Sequence, residues 1–312
     1  MSFVLLILGL LGLWIGTESS VHGALAIAQR LGISEFIVGV TILSIGSDFP
    51  EFAIAVDGAL NAENTAEVSN VIIGSALGSA LCQISFVLGV AGLFSYLTLP
   101  RRITIQHGSI LLGAIIFLAL FACDGHISRT EGIALIIVYV VYLVFLFSER
   151  KNYSAISTEQ VKNSMPKSLA FLVVGLVCLF ASAKLTIASV LQVANLLGVE
   201  SSIIAVIVVG LGTSLPEFSI SLGAVLKGKS RLSVGNLIGS NIFDTLVPVG
   251  VAASIRELDF ETSFLVRELP ILFMLSLLVL FFFVREKGIQ KKEAVVIVTL
   301  YVTYISYNII IL

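Results

Sequence analysis

The sequence predicts an all-α polytopic membrane protein in which ten transmembrane helices form two inverted five-helix repeats. Three observations lead to this fold class. The 312 residues have a mean hydropathy of +1.07, with 57% hydrophobic and 12% charged residues, which excludes an ordinary soluble domain. Apolar runs of about 20 residues, long enough to cross a bilayer, recur along the whole chain. A short polar motif also occurs twice, once in each half.

The apolar runs divide the chain into ten predicted spans. The start of the chain lacks the basic region of a signal peptide, so we expect the first helix to be retained. The first repeat covers residues 1–147, a short cytoplasmic connection covers 148–167, and the second repeat covers 168–312. The predicted spans are about 2–30, 34–60, 66–97, 103–123, 130–147, 168–197, 200–227, 232–253, 263–284 and 293–312.

The distribution of basic residues supports this helix count. If the N-terminus is outside, fourteen Lys and Arg residues fall at cytoplasmic ends and loops, whereas only Arg129 and Arg256 fall in external loops. Cytoplasmic loops of membrane proteins carry such an excess of basic residues. We therefore expect both termini outside and the basic loops inside, with the protein in the cell membrane of a prokaryote.

Two pairs of blocks carry the internal repeat. Residues 46–51 read GSDFPE and residues 212–217 read GTSLPE, at an offset of 166. Residues 74–83 read GSALGSALCQ and residues 235–244 read GNLIGSNIFD, at an offset of 161. Five helices in each half place the second half upside down relative to the first. This inverted repeat is the architecture of many secondary transporters.

The proline motifs predict interrupted helices at mid-membrane. Pro50 and Pro216 each remove a backbone donor, so helices 2 and 7 should break there, and we expect helices 3 and 8 to be broken as well. We expect the breaks to free the backbone carbonyls of Ser44 and Gly210. At membrane depth such carbonyls need protein, water or an ion as a partner.

Polar side chains cluster in the same two pairs of blocks. Glu51 and Glu217 follow the prolines directly, and a carboxylate within a membrane span is costly and usually functional. The second blocks add Ser79, Gln83, Ser240 and Asp244 at helical spacing. The set contains oxygen ligands without His or Cys, which suits Ca²⁺ or Na⁺. All three cysteines lie in apolar stretches, so we expect neither a disulfide nor a thiolate metal site.

These blocks resemble the two α-repeats of the cation/Ca²⁺ antiporter superfamily, and the resemblance covers essentially the whole chain. It implies a secondary-active antiporter that exchanges Ca²⁺ for a monovalent cation by alternating access, with helices 1 and 6 sliding across the bundle. It also implies Ca²⁺ coordination by Glu51 and Glu217, with Ser47 and Thr213 beside them. The implied flanking sites for the counter-ion comprise Ser44, Ser79, Gln83, Gly210, Ser214, Ser240 and Asp244.

Two departures from the family pattern bear on the counter-ion. Asp48 stands where sodium-coupled members usually carry Ser, and where the second repeat has Ser214. Gln83 stands where Asn or Asp is usual, opposite Asp244. The predicted centre gathers four carboxylates, Asp48, Glu51, Glu217 and Asp244. Clustered carboxylates raise one another's pKa values, which favours protons as the counter-ion. The TSLPE form instead resembles sodium/calcium exchangers, so Na⁺ stays open as the alternative. Asp48 could also point away from the site and bond a helix end.

Other functions have less support in the sequence. A passive cation channel could also use carboxylates, but one central cluster in an inverted repeat favours a carrier. There is no nucleophile–base pair for an enzyme, no nucleotide fingerprint and no basic nucleic-acid surface. We expect no cofactor, transported Ca²⁺ and H⁺ or Na⁺, contact with the lipid bilayer, and transport by a single copy. Glu18 and Lys184 align at the 166-residue offset, and either a gating role or ordinary pairing and snorkelling would explain them.

Overall fold

The computed structural model describes residues 2–61, 65–149, 164–196, 212, 214–286 and 288–311. Within these residues the first half contains α1 (Ser2–Leu31), α2 (Glu35–Ser47), α3 (Phe49–Asn61), α4 (residues 65–94), α5 (Arg101–Phe121) and α6 (Arg129–Ser148). The second half contains α7 (Met165–Leu196), α8 (Leu215–Leu226), α9 (Ser230–Ile255), α10 (Phe264–Arg285) and α11 (Lys291–Ile311). The strands β1 (His126–Ile127) and β2 (Leu258–Asp259) complete the regular structure of the described residues.

Seven of the described helices are long and apolar enough to cross a membrane. These are α1, α4, α5, α6, α7, α9 and α10, and the bent pair α2 and α3 makes an eighth when it is counted as one span. The predicted bounds of the described helices agree with the observed ones to within a few residues. The total of ten spans stays a prediction, because most of the first part of predicted helix 7 and the connection between the halves fall outside the described residues.

The predicted break in helix 2 is confirmed. The axes of α2 and α3 differ by 44°, and the bend lies just before Pro50, which has no N–H to pair with the carbonyl of Gly46. A π-helical turn at Gly39–Leu43 adds a second irregularity. The prediction that the break frees the carbonyl of Ser44 is wrong. That carbonyl accepts the backbone N–H of Asp48 at 2.9 Å and the hydroxyl of Ser47 at 3.2 Å.

The predicted breaks in helices 3 and 8 are also wrong. Helix α9 is one continuous α-helix, and α4 continues through a π-helical turn at Gln83–Val87. The polar residues of the second block are compatible with a helix because their side chains bond to the preceding turn. Asn241 donates to the carbonyl of Leu237 at 2.9 Å, and Thr245 donates to the carbonyl of Asn241 at 2.7 Å.

The centre of the molecule is α9, which is buried along almost its whole length. Glycines allow its backbone to contact α2 directly. A Cβ atom on Gly235 would lie 2.5 Å from the carbonyl oxygen of Phe36, and one on Gly239 would lie 2.5 Å from that of Val40. This close packing of small residues fixes the polar face of α9 beside the bent helix.

Helices α1 and α7 form a separate antiparallel pair on one side of this core. Small residues line their interface: Gly9 packs against Thr186, Gly12 against Ser182, Ser20 against Gly175 and Gly23 against Leu172. The outer face of the pair exposes large apolar side chains such as Trp14 and Val174. Lipid is the environment that suits such a face.

Two short backbone pairings join loops of the first half to loops of the second. Strands β1 and β2 are antiparallel, with Ile127 opposite Leu258. At the other pairing, Leu97 and Ile289 form an antiparallel bridge and exchange backbone hydrogen bonds of 3.2 and 2.9 Å. The two halves are therefore connected by main-chain bonds as well as by helix packing.

Candidate cation site

The first copy of the proline motif places four polar side chains in the protein interior. Ser44 and Ser47 lie at the end of α2, Asp48 occupies the bend and Glu51 lies in the first turn of α3; all four are buried. Neither carboxylate oxygen of Asp48 has a hydrogen-bond partner among the described residues. The alternative that Asp48 bonds a helix end is therefore wrong for the described part of the chain.

The second copy has the same local arrangement where the structure describes it. Ser214 precedes α8, Pro216 lies in the first turn, and Glu217 is fully buried. The predicted ligands Gly210 and Thr213 lie outside the described residues. The ten other residues of the predicted site are all buried in the structure.

A hydrogen-bonded chain of side chains connects the second motif to α4 and α9. The hydroxyls of Ser214 and Ser79 are 3.2 Å apart. The amide nitrogen of Gln83 donates to Ser79 Oγ at 3.0 Å and to Asp244 Oδ2 at 3.1 Å. The amide of Asn241 in turn donates to Gln83 Oε1 at 3.1 Å. Four predicted ligands from three elements thus lie in one buried network.

Asn241 is a member of this network that the predicted ligand set omitted. It lies in the second block at a position where the first block has Ala80. The available signal was an amide next to Ser240 at a position where the aligned helix has alanine. The structure explains its presence, because Asn241 orients Gln83, whose amide nitrogen then points at Ser79 and Asp244.

The site contains more buried negative charge than its described neighbours compensate. Seven carboxylate oxygens, both of Asp48, Glu51 and Glu217 and one of Asp244, have no hydrogen-bond partner among the described residues. Asp48 lies within electrostatic range of the other three carboxylates. None of the ion pairs formed by the described residues reaches them. Since an uncompensated buried charge costs several kcal/mol, this region requires cations or protons.

The described residues do not form a metal centre from carboxylates alone. No three His, Cys, Asp or Glu side chains among them converge closely enough to hold a metal ion. A cation here would therefore use hydroxyl, amide or backbone oxygens together with carboxylates. Ser240 Oγ and Asn241 Oδ1 are buried without partners in the described part of the chain and are available for this purpose. Mixed oxygen sets of this kind suit Ca²⁺ and Na⁺.

A cavity of about 640 Å³ extends to the prolines of both motif copies. Pro50 and Pro216 line it, each directly before one of the two glutamates, and Gly212 and Asn70 lie nearby. Lys184 of α7 also lines this space. We call it the access cavity below.

Helix α1 contacts α8 closely beside the second motif. Thr17 of α1 fills the space beside Gly223, where an added Cβ atom would lie 2.2 Å from the Thr17 methyl carbon. Next to it, Glu18 Oε1 and Lys227 Nζ form an ion pair of 2.7 Å between α1 and the end of α8. Ordinary pairing with a neighbour, one of the two explanations of Glu18, is confirmed.

Comparison with known proteins agrees with this arrangement. The family model of the sodium/calcium exchanger protein matches residues 1–148 and 167–310. The chain is 29% identical to an uncharacterized membrane protein of Methanocaldococcus jannaschii, over 96% of this chain and 95% of the relative. It is 26% identical to the sodium/calcium exchanger MaX1 of Methanosarcina acetivorans, over 97% of both chains.

Solved structures show the same fold. A structure of the sodium-calcium exchanger NCX_Mj superimposes with a TM-score of 0.82 at 28% sequence identity, covering 98% of this chain and 97% of that one. The family model covers far more than half of the sequence and includes both pairs of repeated blocks. The protein is therefore an integral membrane protein of the sodium/calcium exchanger family, within the cation/Ca²⁺ exchanger superfamily.

Proposed function

We propose that this protein is a secondary-active antiporter that moves Ca²⁺ across the membrane in exchange for a monovalent cation. The observation that carries this proposal is the set of seven uncompensated buried carboxylate oxygens, shared by both motif copies and lying behind the two prolines that line the access cavity. A buried charged site beside a cavity fits a carrier that exposes its site to one side of the membrane at a time. The name of the relative MaX1 supports Ca²⁺ as the divalent substrate.

The proposed ligands are the residues that the family resemblance implies, and the ten of them that the structure describes are all buried. Glu51 and Glu217 bind Ca²⁺ from the two motif copies, with Ser47 and Thr213 beside them. The counter-ion occupies flanking positions formed by Asp48, Asp244, Ser44, Ser79, Gln83, Ser214, Ser240 and Gly210. In this arrangement Ca²⁺ and the counter-ion compete for the same buried negative charge, which couples their movements.

We propose H⁺ as the counter-ion, with Na⁺ as the second candidate. Four carboxylates carry more negative charge than one Ca²⁺ neutralises, and the carboxylate of Asp48 accepts no hydrogen bond from the described residues. A proton neutralises such a group without further ligands. The network of Ser79, Gln83 and Ser214 favours Na⁺ instead, because it offers several oxygens close together. The names of the relatives MaX1 and NCX_Mj also favour Na⁺.

We also propose the ten-helix inverted repeat, with halves 1–147 and 168–312 and a cytoplasmic connection between them. Contacts between α1 and α7 support it. Gly9 packs against Thr186, and Ser20 packs against Gly175. Adding the 166-residue offset to Gly9 and Ser20 gives Gly175 and Thr186, so one contact is the counterpart of the other. A two-fold axis between the helices produces such pairs.

The two backbone pairings of the loops support the same symmetry. Leu97 and Leu258 are 161 residues apart, as in the second pair of blocks, and Ile127 and Ile289 are 162 apart. The bridge of Leu97 with Ile289 is therefore the counterpart of the pairing of Leu258 with Ile127. With the N-terminus outside, one pairing lies at each membrane face, and a single copy contains the complete transport path.

Reconstitution into sealed vesicles tests the proposed function. We expect Ca²⁺ uptake by the purified protein when an outward gradient of the counter-ion is imposed, with pH and Na⁺ gradients applied separately. Uptake driven by the pH gradient alone supports H⁺ exchange, and uptake driven by the Na⁺ gradient alone supports the second candidate. Ca²⁺ flux that depends on neither gradient would contradict an antiporter and favour a channel.

A further inference from the structure

Lys184, a residue outside the proposed ligand set, brings a positive charge to the access cavity. Lys184 lines the cavity together with Pro50 and Pro216, the residues that directly precede the two glutamates. Among the described residues that line this space, Lys184 is the one with a charged side chain. A cation that approaches Glu51 and Glu217 from this side therefore passes near an ammonium group.

Lys184 also differs from the residue that the repeat places opposite to it. Glu18 lies at the equivalent position on α1 and forms an ion pair of 2.7 Å with Lys227. Lys184 takes part in none of the ion pairs found in the described part of the chain, and its side chain is exposed to the cavity. Its charge therefore acts on the contents of the cavity and is not cancelled by a described carboxylate.

We propose that Lys184 is a specificity-determining residue, which sets the balance between divalent and monovalent cations at the mouth of the site. This inference rests on the proposed exchange function. The electrostatic energy of an ion near a fixed charge is proportional to the valence of the ion. At roughly 10 Å in a water-like medium, one positive charge lowers the local concentration of a monovalent cation about two-fold and of a divalent cation about four-fold. Lys184 therefore weakens Ca²⁺ access more than access of the counter-ion.

A different explanation of Lys184 makes other predictions. If its stem merely packs beside the membrane and its ammonium reaches the lipid–water boundary, its charge has no effect on ions in the cavity. Substitutions would then change the half-saturating concentrations of all cations by the same factor, through the shape of the cavity, or leave them unchanged. The dependence on valence separates the two explanations.

Three variants of the full-length protein in sealed vesicles test the inference. Lys184→Arg keeps the charge, Lys184→Gln removes it and Lys184→Glu reverses it. The half-saturating Ca²⁺ concentration is measured from the side to which the cavity opens, and that of the coupled monovalent ion is measured in parallel. A poorly folded fraction lowers the maximal rate but leaves half-saturation unchanged, so the test does not depend on full folding.

We expect Lys184→Gln to lower the half-saturating Ca²⁺ concentration about four-fold and that of the monovalent ion about two-fold. Lys184→Glu should lower the Ca²⁺ value about sixteen-fold, and Lys184→Arg should resemble the wild type. These shifts should shrink as ionic strength rises with an inert salt. Equal shifts for both ions, or Ca²⁺ values that match Lys184→Arg in all variants, would overturn the inference. Absence of exchange in the wild type would instead contradict the proposed function.

Discussion

The two copies of the proline motif share a backbone conformation but differ in their side chains. Asp48 has φ and ψ of −83° and 5°, and Ser214 has −86° and 7°. Each precedes a helix whose first turn carries a buried glutamate. The hydroxyl of Ser214 is bonded to Ser79, whereas the carboxylate of Asp48 has no described partner. The repeated backbone thus fixes where ligands stand, and a single substitution changes the charge at one of them.

The second blocks differ in a similar way. On α9, Gly239 lies against the backbone of α2, where an added Cβ atom would approach the Val40 carbonyl to 2.5 Å. On α4 the equivalent Gly78 has no atom of the described residues within 4 Å of such a Cβ. The glycine of α9 is required for helix contact, whereas that of α4 has space around it.

The largest expected effect comes from removing the charge of the buried glutamate that each motif copy carries. Glu51→Gln and Glu217→Gln should each reduce Ca²⁺ exchange in vesicles to background, because each removes a charge that binds the divalent ion. Glu257→Gln, in the exposed loop after α9, is a matched control and should leave exchange unchanged. Near-normal exchange in either site variant would show that the carboxylates do not act as a pair.

Alanine substitutions of Gly239 and Gly78 test whether the two second blocks differ in how closely they pack. Gly239→Ala forces a methyl group into the α2 contact, and such overpacking typically costs about 1–3 kcal/mol. Gly78→Ala should be close to neutral. Thermal unfolding of the two detergent-solubilised variants measures the difference. Equal melting temperatures would contradict the asymmetry between α4 and α9.

Exchanging the residues that distinguish the motif copies tests the counter-ion. Asp48→Ser makes the first copy like the second, and we expect it to weaken the dependence of Ca²⁺ uptake on the pH gradient several-fold while Ca²⁺ binding persists. Uptake under separate pH and Na⁺ gradients measures the change. Ser214→Asp, which makes the second copy like the first, is the reciprocal variant. If Asp48→Ser leaves the ion dependence as in the wild type, Asp48 is not part of the coupling.

The smallest expected effect concerns Asn241, which has alanine as its counterpart in the first half. Asn241→Ala removes the donor to Gln83 Oε1, and a neutral hydrogen bond contributes about 0.5–1.5 kcal/mol. We expect the half-saturating concentration of the counter-ion to rise about two- to ten-fold. Asn308→Ala in α11 removes an amide bond far from the site and is the control. An unchanged value in Asn241→Ala would remove this residue from the site.

The sequence predicts well what depends on side-chain pattern. The bounds of the described helices follow from apolar runs, and the bend before Pro50 follows from its missing N–H. The burial of the ten described ligands follows from their placement within those runs. These features are local, so the chain reveals them directly.

The predictions that failed concern which hydrogen-bond partners the backbone and side-chain groups have in the folded protein. The prediction assigned the freed carbonyl to Ser44, although the missing bond of Pro50 belongs to Gly46, four residues earlier. Breaks were also expected in helices 3 and 8, yet the polar residues Asn241 and Thr245 of helix 8 bond within their own helix, which is continuous. The orientation of Gln83 by Asn241 depends on contact between α4 and α9, which spacing along one chain does not encode.

The paired loops have a consequence for how such a protein diverges during evolution. The bridges of Leu97 with Ile289 and of Ile127 with Leu258 are made by main-chain atoms, which every residue except proline provides in full. After a gene duplication, halves held together in this way can accumulate different side chains without losing their alignment. The two copies can then carry Asp48 and Ser214 at equivalent positions while the backbone pairing of the halves stays the same.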